Sequence, residues 1–125
     1  MSRRVLIADD AAFMREMLRD VLSTSDFEVV AEAANGEEAV EAYHTHRPDL
    51  VTLDIVMPGM SGLDALRRIR AEDPGACIVM CSALGQEALV VEALEAGARD
   101  FVVKPFKPDQ VLAALESALQ KNDPA

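Results

Sequence analysis

Residues 50–59 read LVTLDIVMPG. Four residues that are apolar or favour β structure come before Asp54, so this segment is predicted to be a buried central strand. Pro58 and Gly59 suit the two central positions of a type II turn, in which glycine supplies the positive φ. Asp54 is therefore expected at the carboxyl end of a strand and beside a loop, which is where open α/β sheets bind their ligands.

The composition indicates a single domain, residues 1–125, with an aliphatic core, since 50% of the residues are hydrophobic and 4% aromatic. The 12 basic and 22 acidic side chains give a net charge of −10, which argues against nucleic acid as a partner because phosphate contacts demand clustered Lys and Arg. The apolar run at residues 5–8 is too short for a signal peptide or a membrane span. We expect a monomeric cytoplasmic protein with no membrane partner.

Apolar runs alternate with segments of helical periodicity along the chain. The runs predict strands at residues 5–8, 27–32, 50–54, 77–81 and 101–103, and a helix follows each of them. Short crossovers make such a sheet parallel, with helices on both faces, so the fold class is α/β. The expected helix-end residues are the N-caps Asn35 and Ser61, the C′ glycine Gly97 and the first-turn proline Pro108. Residues 122–125 are expected to form a frayed tail.

Cys77 and Cys81 lie four residues apart on the predicted fourth strand. That spacing separates them by about 13 Å, whereas a disulfide needs Cα atoms within roughly 7 Å. We therefore expect two reduced, buried cysteines.

Polar side chains stand at the carboxyl ends of four predicted strands. They are Asp9 with Asp10, Asp54, Ser82 and Lys104. All carboxyl ends of a parallel sheet share one edge, and three carboxylates there repel one another and resist ionisation. A divalent cation relieves this repulsion, and oxygen ligands without His or Cys favour Mg²⁺. Lys104 and Ser82 offer a positive charge and a hydrogen-bond donor to a phosphoryl group.

Each of these residues also has an ordinary structural explanation. Asp9 and Asp10 also suit the cap of the first helix, where carboxylates interact favourably with the helix dipole, so capping stands beside a metal role as an alternative. Ser82 alone is typical of a cap or turn hydroxyl, and Lys104 alone is typical of a solvated charge. Only their joint placement at four strand ends makes these explanations improbable.

The pattern of residues 5–10 (VLIADD), Asp54 before Met57-Pro58, Ser82-Ala83 and Lys104-Pro105-Phe106 resembles the receiver domain of two-component response regulators. The resemblance covers essentially the whole chain. Within that family, residues 10–15 (DAAFMR) and 81–86 (CSALGQ) look like the stand-alone chemotaxis receivers found outside the enteric bacteria. The resemblance implies a flavodoxin-like sheet with the strand order 2-1-3-4-5.

The resemblance also implies a role for each acidic residue. Asp54 resembles the phosphoacceptor, which takes a phosphoryl group from a histidine kinase in a reaction that requires Mg²⁺. Asp10, Asp54 and the main-chain carbonyl of Val56 resemble the direct Mg²⁺ ligands, and Asp9 would act mostly through a metal-bound water. Such a protein is a phosphoacceptor in signalling rather than an enzyme.

The remaining strand-end residues resemble the parts that hold and transmit the phosphoryl group. Lys104 would hold one phosphoryl oxygen, and Ser82 would bind another and move with it. Pro105 would follow a cis peptide bond. Phe101 stands at the switch position on the fifth strand, where the best-known relatives have Tyr, and an ordinary edge-strand hydrophobe is an equal alternative. The output surface would be the fourth helix, fifth strand and fifth helix, around Val90, Glu92, Phe101 and Lys107.

The expected output partner is the flagellar motor switch, with a chemotaxis histidine kinase as phosphodonor. Val56 and Leu84 are apolar where some relatives have polar groups that assist hydrolysis, so slow self-dephosphorylation and a separate phosphatase are expected. A single-domain phosphorelay receiver of another pathway is an open alternative.

A small Mg²⁺-dependent phosphatase is a rival from a different class. Enzymes of that kind carry a second Asp two residues after the nucleophile, where this chain has Val56. A flavin or nucleotide carrier lacks support because no phosphate-binding glycine loop is present. His44 and His46 do not share a helix face, so exposed histidines are expected there rather than a metal site.

Overall fold

The computed structural model describes residues 3–120, in which five strands alternate with five helices. The predicted tail over 122–125 lies outside the described residues. The fourth strand begins and ends one residue later than expected. The elements are β1 (Arg3–Ala8), α1 (Ala12–Leu22), β2 (Phe27–Ala33), α2 (Gly36–His46), β3 (Leu50–Asp54), α3 (Gly62–Glu72), β4 (Ile78–Ser82), α4 (Glu87–Glu95), β5 (Asp100–Val103) and α5 (Pro108–Gln120).

All five strands run parallel in one sheet with the order β2-β1-β3-β4-β5, which confirms the expected order. β3 occupies the centre and is buried at every position, as its sequence predicts. The turn that follows it contains Gly59 with a φ of 70°, the positive value expected for a type II turn. Asp54 is the last residue of this central strand.

Two hydrophobic cores lie on opposite faces of the sheet. One packs α2, α3 and α4 against the sheet, and the other packs α1 and α5. Alternation along β3 sends Val51 and Leu53 into the first core and Leu50 into the second. The helical contributions to the first core include Tyr43, Leu66, Ile69, Val90 and Ala93, and those to the second include Leu18, Leu22, Val111 and Leu115.

The helix ends follow local side-chain chemistry. The side chain of Asn35 accepts a hydrogen bond from the Glu38 N–H at 2.9 Å, and Ser61 Oγ accepts one from the Asp64 N–H at 3.2 Å. Gly97 has a φ of 113° and follows α4, where its N–H donates to Leu94 in a Schellman arrangement. These helix boundaries are therefore confirmed.

Both cysteines are free and buried, as predicted. Burial raises the pKa of the Cys77 thiol to about 11 and also raises that of Cys81, so both thiols stay protonated at neutral pH. Within residues 3–120, no helix combines the length and the apolar character needed to cross a membrane.

Two glycines let helices approach the backbone around the end of β3. A Cβ on Gly62 would lie 1.7 Å from the carbonyl oxygen of Asp54, and one on Gly36 would lie 2.3 Å from the carbonyl oxygen of Met60. The Gly62 N–H donates to the carbonyl of Ile55 at 2.8 Å. The first turn of α3 therefore packs directly on the backbone that carries Asp54.

We expect Gly62→Ala to lower the free energy of unfolding by at least about 2 kcal/mol, because the clash is with rigid backbone and cannot relax by a side-chain rotation. Gly75→Ala is the matched control, since its Cβ would meet only a side-chain oxygen of Asp73 at 3.5 Å. That control should change stability by less than about 0.5 kcal/mol. Urea denaturation of both variants measures the difference, and equal stabilities would contradict the close approach.

Candidate functional site

The structure brings the three predicted acidic side chains together at the carboxyl edge of the sheet. One carboxylate oxygen from each of Asp9, Asp10 and Asp54 lies within 4.8 Å of the others. Asp9 and Asp54 are buried, with 1% and 6% of their surfaces exposed, whereas Asp10 is exposed. Within residues 3–120, this is the only group of three or more His, Cys, Asp or Glu side chains that is close enough to hold a metal ion.

Lys104 lies against this cluster. Its Nζ is 2.8 Å from Asp9 Oδ2 and 3.3 Å from Asp54 Oδ2, and its side chain is largely buried. The Lys104 N–H donates to the carbonyl of Ser82 at 2.7 Å, and the peptide bond to Pro105 is cis, as expected. The explanation of Lys104 as a solvated charge is therefore wrong.

Each of the four polar groups of Asp9 contacts a partner in the surrounding structure. Its N–H donates to the Ala33 carbonyl at 3.0 Å, and its Oδ1 accepts from the Ala11 N–H at 2.9 Å. Its Oδ2 pairs with Lys104, and its main-chain carbonyl accepts from Arg15 Nη1 at 2.7 Å. The N-cap of α1 is Ala11, which makes no side-chain capping bond, so the capping explanation of the acidic pair is not what the structure shows.

Burial raises the pKa of Asp54 to about 6, and repulsion from Asp9 adds to this effect while Lys104 opposes it. Burial lowers the pKa of Lys104, but its hydrogen bond to Asp9 and the charge of Asp54 outweigh this, so the net shift is upward. Lys104 is therefore charged at neutral pH. One ammonium group does not offset three carboxylates, which leaves the cluster suited to an added cation.

Ser82 ends β4 and is buried, with 2% of its surface exposed. It lies four residues before the N-cap of α4, Gln86, so the explanation of Ser82 as a helix cap fails. Ser82 lines a groove of about 270 Å³ between α4 and β5, together with Leu84, Leu94 and Phe101. Phe101 is exposed over 39% of its surface. One groove therefore connects the polar strand end with the aromatic residue on β5.

The predicted output surface needs one correction. Val90 is buried and packs in the core beneath α4, because the helical turn directs this position toward the sheet. Val91 is exposed instead, at 56%. Glu92 is exposed and forms an ion pair with Arg67 at 2.7 Å, and Lys107 is exposed.

The apolar residues near the acidic cluster are open to solvent. Val56 is 52% exposed in the loop after β3, and Leu84 is 84% exposed in the loop after β4. His44 and His46 are also exposed, as expected from their spacing.

Sequence reasoning missed two contributors to the site, Arg15 and Gly62. Arg15 was signalled only weakly, by basic residues one turn apart on α1 (Arg15 and Arg19) and an acidic Glu32 on the neighbouring β2. Gly62 was signalled by its position in the first turn of a helix, where glycine has poor helix propensity. Neither pattern predicts a role at the site, because only the tertiary structure shows which groups Arg15 and Gly62 contact.

Known proteins are similar to this chain in both sequence and fold. The family model for the response regulator receiver domain matches residues 5–116. The chain is 56% identical to the chemotaxis protein CheY of Bacillus subtilis (strain 168), over 95% of this chain and 99% of that protein. It is 58% identical to the chemotaxis protein CheY of Listeria monocytogenes, over 92% of this chain and 97% of that protein.

A solved structure of a relative is also similar. The crystal structure of the CheX-CheY-BeF3-Mg²⁺ complex from Borrelia burgdorferi matches with a TM-score of 0.88 and 42% identity, covering 92% of this chain and 87% of that one. The sequence match runs from β1 into α5 and includes every strand end described above. The chain therefore belongs to the family of response regulator receiver domains.

Proposed function

We propose that this response regulator accepts a phosphoryl group on Asp54 from a histidine kinase, in a reaction that requires Mg²⁺. The observation that carries the proposal is a buried carboxylate placed 3.3 Å from a lysine ammonium and beside two further carboxylates at a sheet edge. Such a site combines a nucleophile with charges that stabilise a phosphoryl group.

In the proposed step, a carboxylate oxygen of Asp54 attacks the phosphorus of a phosphohistidine. The new P–O bond forms as the P–N bond breaks, and the imidazole nitrogen leaves with the electron pair. Lys104 holds one phosphoryl oxygen, and the Ser82 hydroxyl, at the end of the adjacent strand, donates to another. Phosphoryl transfer depends mainly on positioning and charge neutralisation, so these residues suffice without a general base.

The donor set fits Mg²⁺, because the clustered ligands are carboxylate oxygens and this ion binds through one or two of them. Asp10 and Asp54 would hold it, with the main-chain carbonyl of Val56. Both carboxylate oxygens of Asp9 already have partners, Ala11 and Lys104, which supports contact through a water. When bound, Mg²⁺ supplies positive charge that offsets the carboxylates and the phosphoryl oxygens.

The proposed output begins at Ser82. A phosphoryl group adds about two negative charges at one point, which biases a two-state element nearby. Ser82 moves toward the phosphoryl group, the Phe101 ring follows into the groove that both residues line, and the face formed by α4, β5 and α5 changes shape. The exposed side chains of this face include Val91, Leu94 and Phe101.

We propose chemotaxis as the pathway, with a CheA-like histidine kinase as phosphodonor and the flagellar motor switch as the partner, because the two bacterial relatives above are chemotaxis proteins of almost the same length. The Borrelia relative was crystallised with CheX and Mg²⁺. Exposed Val56 and Leu84 offer no polar group to orient a water, which favours slow self-dephosphorylation and a separate phosphatase. We further propose a cytoplasmic monomer with residues 1–125 as one domain.

The test of phosphorylation is intact mass after incubation with a small phosphodonor such as acetyl phosphate. We expect one added phosphoryl group with Mg²⁺ present and none with a chelator. Asp54→Asn should take up none. Asp20→Asn, an exposed carboxylate on α1, is the control and should behave like the unaltered chain.

Uptake by Asp54→Asn at the unaltered rate would contradict the assignment of the acceptor. Continuous release of phosphate without accumulation of the phosphorylated chain would favour a phosphatase instead. A phosphorylated chain that fails to bind flagellar switch proteins in a pull-down would favour another phosphorelay.

In the absence of Mg²⁺, we expect Asp54→Asn to raise the free energy of unfolding at pH 7 by about 1 to 3 kcal/mol. The pKa of Asp54 is about 6 in the folded protein, above its ordinary value of 3.8. The protonated carboxyl therefore stabilises the folded state fully below pH 3.8, and this stabilisation is lost as the pH rises through 6. Urea denaturation at pH 5 and pH 7 in a chelator measures this, and the difference should shrink at pH 5. A less stable Asp54→Asn at pH 7 would contradict the charge repulsion.

The switch is testable through Phe101→Trp, because the chain has no Trp of its own. We expect the emission maximum to shift to shorter wavelength on phosphorylation, as the ring leaves water for the groove. The double variant with Asp54→Asn should show no shift. Complete phosphorylation by mass with unchanged emission would assign Phe101 to the ordinary edge-strand role.

A further inference from the structure

Arg15 contacts the acidic site through the main-chain carbonyl of Asp9. Its Nη1 donates to the carbonyl of Asp9 at 2.7 Å, and its Nε donates to Glu32 Oε1 on β2 at 2.9 Å. The Arg15 side chain is 19% exposed. The guanidinium fork therefore spans α1, the end of β1 and the edge strand β2, and it fixes the position of a single peptide group.

That peptide group joins Asp9 to Asp10. Because a peptide unit is planar, holding the Asp9 carbonyl also fixes the direction of the Asp10 N–H and the position of the Asp10 Cα, from which the side chain starts. The other polar groups of Asp9 are held by Ala33, Ala11 and Lys104, whereas Asp10 itself is exposed. The orientation of Asp10 toward Asp54 thus depends on its link to Asp9.

We infer that Arg15 is a positioning residue for the Mg²⁺ site, acting through the Asp9–Asp10 peptide to aim the Asp10 carboxylate at Asp54. The inference rests on the proposed function, because it takes Asp10 and Asp54 as the residues that hold the cation. Residues that orient metal ligands typically change metal affinity by about 10-fold to 100-fold when they are removed.

Charge alone makes the opposite prediction. A guanidinium near the site repels a cation, so removing it should strengthen Mg²⁺ binding if Arg15 contributes only its charge. Removing a positioning group should weaken binding. The sign of the change therefore separates the two roles.

Arg19 provides a matched control. It lies one turn after Arg15 on α1 and pairs with the other oxygen of the same carboxylate, Glu32 Oε2. The contact with the Asp9 carbonyl is made by Arg15. Arg15→Met and Arg19→Met each delete one arginine and one ion pair with Glu32, and only the first also deletes the contact with the Asp9 carbonyl.

The test is calorimetric titration of MgCl₂ into the unphosphorylated chain at pH 7. We expect Arg15→Met to raise the dissociation constant at least about 10-fold, and Arg19→Met to change it by less than about 2-fold. Arg15→Lys keeps the charge but has no fork, so it should bind more weakly than the unaltered chain. Amide hydrogen exchange at Ala11, whose N–H donates to Asp9 Oδ1, should speed up in a chelator in Arg15→Met and not in Arg19→Met.

The outcomes separate the two proposals. If the unaltered chain binds no Mg²⁺, both the proposed function and this inference fail. If the unaltered chain binds and Arg15→Met binds equally or more tightly, the inference alone is overturned. If Arg15→Met does not fold, Arg15→Lys provides the test. An unchanged affinity of Arg15→Lys for Mg²⁺ then overturns the inference.

Discussion

The structure depends most on the balance of charge at the carboxyl edge of the sheet, where Lys104 meets the carboxylates of Asp9 and Asp54. Two of the three carboxylates in the cluster are buried, and one ammonium group does not neutralise them. Contacts with the backbone fix the positions of the buried carboxylates, so they cannot move apart. Asp54 ends the central strand, the glycine at the start of α3 packs on its carbonyl, and the four polar groups of Asp9 all have partners. The folded protein thus holds an unfavourable arrangement of charge, which a bound cation would relieve.

Much of the fold could be predicted from the sequence because its signals are local. The apolar run before Asp54 and the turn at Gly59 identified the central strand, and the caps at Asn35 and Ser61 fixed two helix starts through their own side chains. The order of the strands in the sheet could not be predicted from local signals. Local patterns do not specify which strands become neighbours, so the order came from the resemblance to a family and was then found in the sheet.

The site was only partly predictable for the same reason. Parallel strands bring their carboxyl ends to one edge, so the acidic cluster followed from strand ends alone. The arginine that holds the Asp9 carbonyl lies on α1 and contributes through tertiary contact, which no spacing in the sequence reveals. Val90 was assigned to the surface although it is buried, because α4 is apolar on more than one side and its periodicity does not identify the inner face.

Burial and like charge make the ionised form of Asp54 unfavourable as long as no cation is bound. The most direct test is an NMR pH titration of the Asp54 side-chain carboxyl carbon, assigned by the loss of its signal in Asp54→Asn. We expect a pKa of about 6 for Asp54 in a chelator, and a lower value once Mg²⁺ is added. A pKa near the ordinary 3.8 in the chelator would contradict this expectation.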